Sequence, residues 1–583
     1  MVRLRVRLVG VVLAVVVSFA GWGQTGQAPR LSEKIEVRVV NVDVIVTDRA
    51  GKPITGLTRE DFEITENKVP QAIVNFYEST PGAYAALAEG AGVEGVTAAG
   101  LPAPPPRRVV FYIDNLSLTG VQRNRLIAEM KSFVTEALQP HDEVMIASFN
   151  RSLHIALPFS EDRTEIANTL ERLTAEAAAG DIRFREAAEI QQDIQASGQH
   201  QQRIWWAKSY AERVRNDVEQ SANAVKTLMA NLAGLDGKKV LVLASEGFPM
   251  QPGVEMFAYI DNLGEEVSMR DAIPNRVREV PAPRTPGDQT PAPAPAPLPS
   301  MPGMTRMRGS TMVNVREFSA EKIIQSVAST ANANGVTLYT VHAGAADGGS
   351  SAGADRQRPI TDAVVMQARA NSEAGLKSLA DLTGGLASVT ASRHQGIFEQ
   401  IRRDLDSYYS LGYRPSPGEG ERALQVRVKK GRYVVRARRS HVQKSLEQEM
   451  SDQVIANLLS QPRANDLNVQ VTTEEAIETK EGKFRVPIRI RVPMDSLTLV
   501  EQSSGGTEGT FDVYLVVADA GGALSPVVHR TQKVAVAADK RESAKGSTFT
   551  YALDLLMNRE AIRVSVAIVD AGTSITSFAR YDR

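Results

Sequence analysis

The chain has 583 residues, 43% of them hydrophobic and 23% charged, which is enough apolar material for several cores and rules out a mainly disordered protein. Its 67 Lys and Arg balance 68 Asp and Glu, a formal net charge of -1, so no broad basic field exists to hold a nucleic-acid backbone. The absence of Cys excludes disulfides, thiolate-ligated zinc, iron–sulfur clusters and cysteine nucleophiles.

A chain of this length is expected to form about three or four domains. Residues 1–24 read as an export signal: Arg3, Arg5 and Arg7 precede an apolar run at 8–20, and Gly21, Gly23 and Gln24 follow it. The run is short for a membrane span, and no later segment reaches about 18 uninterrupted apolar residues. The expectation is an exported protein without a span after signal removal, periplasmic, associated with the outer envelope or secreted. Uncleaved anchoring is the alternative.

Residues 35–78 form a small, immunoglobulin-like β domain on this reading. Val42, Val44 and Val46 alternate, a turn follows at 48–53, and Phe62, Ile64, Ile73, Val74 and Phe76 supply further strand material. Thr58 is placed to cap a short turn. Residues 79–106, rich in Ala, Gly and Pro with no apolar period, are a linker.

The segment 107–440 alternates strands and helices. A continuous apolar strand at 109–113 ends at Asp114, and Val121, Leu126, Ile127, Met130, Phe133, Val134 and Leu138 mark one face of the helix after it. Val144, Ile146 and Phe149 form a strand that turns back as a hairpin through Leu153, Ile155 and Leu157. Asp162 and Glu165 resemble a capping box. A charged helical excursion spans 181–232 and carries Trp205 and Trp206; both rings are expected to pack onto the domain body, with a docking anchor as the alternative. A buried strand at 240–244 ends in Ser245, Glu246 and Gly247. A proline-rich loop at 281–310 reads as a solvated spacer of polyproline character. A strand at 336–341, a loop at 344–354, a helix at 360–382 and a last helix from Ile397 complete the alternation. The strand at 408–413 and the hairpin beyond it read as an extra edge of the same sheet. Residues 465–583 form a β sandwich, in which Val486, Ile488, Ile490 and Val492 alternate with an arginine row of Arg485, Arg489 and Arg491 that faces solvent.

Such alternation describes a doubly wound α/β sheet, whose ligands bind beyond the carboxyl ends of the strands where the winding reverses. If the strands at 109–113 and 240–244 are central neighbours, Asp114 and Glu246 meet there with Ser117, Thr119 and Ser245. That oxygen-rich mouth suits a hard cation such as magnesium. Its acidity and the absence of phosphate-binding glycine motifs disfavour a nucleotide. The alternative is that Ser117 or Thr119 caps the helix starting near Gly120.

In order, residues 109–149, the Ser245-Glu246-Gly247 strand end, residues 335–340, Thr383-Gly384-Gly385 and residues 408–415 resemble a von Willebrand factor type A domain. The leading β unit and the Tyr-Tyr-x-Leu-Gly-Tyr run at 408–413 resemble in particular the VWFA-related proteins of Acidobacteria. The resemblance covers about residues 35–440. It implies a Rossmann-like domain that binds proteins, often through a metal-ion-dependent adhesion site. The chain departs from that site's D-x-S-x-S pattern: Leu116 and Leu118 stand at the hydroxyl positions, Glu246 replaces an aspartate, and no clear Thr ligand lies at 177–181. The expected metal ligands are therefore Asp114, Ser117, Thr119 and Glu246 of a degenerate site.

With no G-x-S-x-G elbow, no H-E-x-x-H pair and seven scattered His, no catalytic residues are expected. The leading expectation is a non-catalytic exported interaction protein with a protein ligand. A structural envelope or surface-assembly component and an uncharacterised hydrolase are the alternatives.

Overall fold

The computed structural model describes residues 39–80, 107–272, 314–343, 362–388, 394–459, 463–479, 481–503, 505–519, 524–557 and 561–582. The signal at 1–24, most of the linker at 79–106, the proline-rich loop at 281–310 and the loop at 344–354 lie outside the described residues.

The chain is of mixed α/β type with several sheets. Four strands of the N-terminal region come first: β1 (Val40–Thr47), β2 (Phe62–Glu66), β3 (Val69–Gln71) and β4 (Ile73–Ser79). The central sheet is built from β5 (Arg108–Asp114), β6 (Glu143–Phe149), β7 (Leu153–Ser160), β8 (Lys239–Ser245), β9 (Val336–His342) and β10 (Ala387–Ser388), in the order β10-β9-β8-β5-β6-β7. All neighbours are parallel except the hairpin strand β7. β5 and β8 pair directly, Arg108 opposite Lys239 through Ile113 opposite Ala244, so the winding reverses between them.

Helices cover both faces of this sheet, which is why its central strands are apolar without a break. On one face Val109, Phe111 and Ile113 of β5 pack with α1 (Gly120–Glu136), α2 (Arg163–Leu173) and α8 (His394–Asp406). On the other, Val110 and Tyr112 pack with α4 (His200–Asn231), α6 (Glu321–Ala333) and α7 (Asp362–Thr383). A helix α3 (Gly180–Ala196) and α5 (Val254–Ala272) share a separate apolar cluster with the start of α4. Asp162 caps α2 by accepting from the Thr164 and Glu165 amides, but the reciprocal half of the expected capping box does not form, because the Glu165 carboxylate accepts from the Ser160 hydroxyl at 2.7 Å and the Asp162 amide donates to that hydroxyl.

The strand β11 (Tyr408–Tyr413) corrects the expectation of an extra edge on the central sheet. It lies between β1 and β4, antiparallel to both, in a sheet ordered β13-β1-β11-β4 with β13 (Val434–Ala437). β12 (Gly420–Val428) and β14 (Ser440–Gln443) likewise join β2 and β3 in the order β14-β12-β2-β3. The small β unit is thus assembled from both sides of the central segment, around Val42, Val44, Phe62, Ile64, Tyr409, Leu411 and Tyr413.

A helix α9 (Leu446–Leu459) leads to a β-rich C-terminal region. There β15 (Gln470–Thr473), β16 (Ile477–Glu478), β17 (Phe484–Pro493) and β21 (Thr548–Met557) form one antiparallel sheet. β18 (Val500–Glu501), β19 (Thr507–Asp519), β20 (Val528–Val536), β22 (Ala561–Asp570) and β23 (Thr576–Asp582) form another. Both contribute to one core that includes Val486, Ile488, Ile490, Val492, Phe511, Val564 and Val566. The arginines of β17 lie on its other side, where Arg489 pairs with Glu474 at 2.5 Å and Arg485 with Asp554 at 3.8 Å.

At the amino ends of the central strands, charged groups join the units. Asp404 of α8 accepts from Arg436 of β13 at 2.7 and 2.8 Å, from the Tyr339 hydroxyl at 2.6 Å and from Gln400 at 2.9 Å. Lys238 donates to the Asp404 carbonyl and lies 3.7 Å above the Tyr408 ring. Arg463 pairs with Asp236 at 2.5 Å, tying in the C-terminal region.

Candidate functional site

β5 is buried along its whole length and ends at Asp114, whose carbonyl accepts from the Ser117 and Leu118 amides to make a tight turn. α1 begins immediately after it. Thr119 accepts from the Gln122 amide at 3.4 Å, while Gln122 Oε1 accepts from the Thr119 amide at 3.0 Å and hydroxyl at 2.8 Å. This capping box decides between the two roles open to Thr119: its hydroxyl serves the helix end. β8 ends alongside at Ser245 and Glu246. The turn that follows uses Gly247 at φ +130, where a Cβ would collide with the Ser372 side chain.

The strand ends meet as the switch point requires. The Ser117 and Ser245 hydroxyls each donate to Asp114 Oδ2 at 2.8 Å and lie 3.0 Å apart. The Glu246 amide donates to Ser117 Oγ at 3.0 Å, and the Gly247 amide to Ser245 Oγ at 3.1 Å. The result is a clasp in which one carboxylate oxygen, two hydroxyls and two backbone amides bind β5 to β8. Asp114, Ser117 and Ser245 are all buried.

The clasp leaves two acceptors unused. Asp114 Oδ1 and Glu246 Oε1 are buried with no hydrogen-bond partner among the described residues. Burial pushes the Asp114 carboxyl above its usual range, against the lowering effects of the two serines and Arg183. Burial also pushes Glu246 up to about 7, opposed by Arg369 and Arg183 and reinforced by Asp114. His342, at the end of β9, is buried with Nε2 3.8 Å from Glu246 Oε2.

The crest is also roofed. The Ala179 amide donates to the Asn115 carbonyl at 2.8 Å and the Gly180 amide to the Leu118 carbonyl at 3.0 Å, which seats the start of α3 on the β5–α1 turn. Only glycine fits there: a Cβ on Gly180 would fall 2.5 Å from the Ser117 carbonyl oxygen. Buried Arg123 of α1 holds the preceding segment by donating to the Glu176 carbonyl at 2.7 Å and the Thr174 carbonyl at 2.6 Å. On the other side Asn371 and Gln251 exchange hydrogen bonds of 2.8 and 2.9 Å, linking α7 to the loop after β8.

A magnesium ion takes oxygen ligands in near-octahedral array. Of the expected ligands, the structure brings Asp114, Ser117 and Glu246 together with Ser245, but Thr119 is committed to its helix cap. Leu116 and Leu118 are buried where the resemblance would need hydroxyls. Among the described residues no group of three or more His, Asp or Glu is arranged to hold a metal. This donor set does not fit the divalent cation that the resemblance implies.

Sequence reasoning missed Arg183, Arg369, Gln122 and His342. They come from α3, α7, α1 and β9, and nothing in the local pattern of those segments points to the crest. The two tryptophans also correct an expectation. Trp206 packs into the α3–α4–α5 cluster, but Trp205 is 59% exposed, its ring edge-on to Trp206 at 4.7 Å.

No family model and no curated protein matches the chain. Among solved structures it is similar to three N-terminal domains of the type V pilus tip protein Mfa5 from Porphyromonas gingivalis. That likeness is 9% identical, covers 94% of this chain and 77% of the other, and has a TM-score of 0.23. The human COPII-coat protein Sec24c is 13% identical over 60% of this chain and 45% of its own, at a TM-score of 0.21. A β-glucuronidase of Bacteroides uniformis is 12% identical over 30% of this chain at a TM-score of 0.13, and the chain spans 19% of that enzyme. Superpositions this low carry nothing from those proteins to this one.

Proposed function

We propose that the chain is a von Willebrand factor type A-like, non-catalytic protein that binds another protein at the crest of its central sheet. The sheet order, the hairpin strand at one edge and the acidic turn after β5 support the resemblance. In this reading the protein is exported and works in the periplasm, at the outer envelope or outside the cell. The crest makes contact through its own side chains, since its donor set does not suit a metal.

The observation that carries the reading is the exposure of large apolar side chains in the first two turns of three helices bordering the crest. Val121 of α1 is 76% exposed, Met366 of α7 is 71% exposed and Phe184 of α3 is 53% exposed. Apolar groups left in water near one feature mark an interaction surface more often than isolated ones do.

The full chain is the bait for crosslinking capture from an envelope extract, followed by binding to the purified partner. Combined Val121→Asp, Phe184→Asp and Met366→Asp substitution is expected to weaken that binding at least about tenfold, the loss of one or two contact residues worth more than about 1 kcal/mol each. Unchanged affinity with a folded variant rejects the crest as the contact face.

A further inference from the structure

The C-terminal region carries a strand with an unused edge. Among the described residues β21 pairs with β17 alone, from Pro493 opposite Thr548 to Phe484 opposite Met557 without a break in register. Pro487 fixes which backbone groups that ladder uses. It has no N–H, and its carbonyl accepts from the Glu474 amide at 3.1 Å on the β15 side. Asp554, which faces it, is therefore a non-hydrogen-bonded position that turns its own N–H and C=O away from β17. By the same alternation the backbone groups of Thr548, Thr550, Ala552 and Leu556 point away from β17, and none has a hydrogen-bond partner among the described residues.

Other edges are guarded. β7 carries Pro158 and an irregular register against β6, β3 carries Pro70, and β20 carries exposed Arg530 and Lys533, devices that keep a sheet edge from pairing. β21 contains no Pro, Lys or Arg, and no bulge interrupts it. Its core-facing Phe549, Tyr551 and Leu553 are only partly buried, with Phe549 edge-on to Phe511 at 5.3 Å, so the shared core is unsealed along this edge.

The strand also matches itself. An antiparallel copy related by a two-fold axis through Ala552 sets Ala552 opposite Ala552, Thr550 opposite Asp554 and Thr548 opposite Leu556 on the solvent face, with Tyr551 opposite Leu553 and Phe549 opposite Leu555 on the core face. This register keeps the two Asp554 carboxylates apart, gives each a threonine hydroxyl as donor, and places apolar against apolar on the core side. We infer that β21 is a self-association edge, at which two copies of this chain join their C-terminal sheets into one continuous antiparallel sheet. The contact uses no residue of the crest, so it holds or fails independently of binding there.

Sedimentation of the full chain over a concentration series is expected to show a reversible dimer. Ala552→Pro removes an N–H that points away from β17, so the existing ladder is kept while two hydrogen bonds at the axis, one from each copy, are lost. Its dissociation constant should rise at least about tenfold, with the fold retained by circular dichroism. The chain has no Cys, so one introduced thiol reports the axis. Ala552→Cys should give a disulfide-linked dimer on mild oxidation, because facing residues of a hydrogen-bonded pair lie about 5.5 Å apart between Cα atoms, within disulfide reach. Thr548→Cys should not, because Leu556 is the residue opposite it. If Ala552→Pro does not fold, the two cysteine variants decide alone. A chain that stays monomeric throughout the series overturns the inference, including one whose free edge takes an extended peptide of another protein instead. A dimer that Ala552→Cys fails to link, or that a folded Ala552→Pro leaves as tight as before, overturns it as well.

Discussion

At the amino ends of its strands the central sheet buries Asp404 under four hydrogen bonds spread over both carboxylate oxygens. At the carboxyl ends it buries Asp114 under two, both to one oxygen. Desolvation is severe at both ends, but only the base answers it with a guanidinium nitrogen shared between both carboxylate oxygens and with a partner for each lone pair. A fully paired buried charge holds units together. A half-paired one keeps an acceptor unmatched, which is the usual condition of a place that meets another group.

The base should therefore be the costlier end to damage. Asp404→Ala strands Arg436 without its carboxylate and removes the acceptor of Tyr339, and a loss of about 3–5 kcal/mol is expected in denaturant unfolding. A loss below about 1 kcal/mol would erase the contrast between the two ends.

The crest should show itself next, through pH. The folded Glu246 carboxyl lies at about 7 against an ordinary 4.5, so between those values the native state binds more protons than the unfolded chain. Stability accordingly falls as pH rises through that window and levels off above it. The fall should be on the order of 2 kcal/mol, allowing for the side chain's partial exposure. Glu246→Gln should flatten this slope without abolishing it, because Asp114 is raised in the same direction. Identical pH profiles for the two proteins would show that the crest carboxyl does not titrate there.

The smallest effect separates the helix cap from the clasp beside it. Thr119→Ala removes a cap and should cost about 1 kcal/mol at any pH from about 5 to about 8. A cost that varied strongly across that range would join Thr119 to the acidic crest after all.

Much of this was legible in the sequence because it is local. The apolar run of β5, the period of α1, the cap at Asp162 and the alternation of β17 follow from residues within a few positions of one another, where side-chain period and backbone donors fix the element. The crossover rule implied a parallel sheet, but the pairing of β5 with β8, and with it the meeting of Asp114 and Ser245, was only a condition in the sequence and is supplied by the structure. Only the tertiary structure decided where β11 goes. Val40 faces Tyr413 across the whole of the central α/β segment, and an apolar strand carries no mark of which sheet edge will accept it. The exposure of Trp205 and the seating of α3 on the β5–α1 turn were hidden for the same reason. Burial and charge neutralisation depend on which surfaces face each other once the helices have packed, and no spacing along the chain records that.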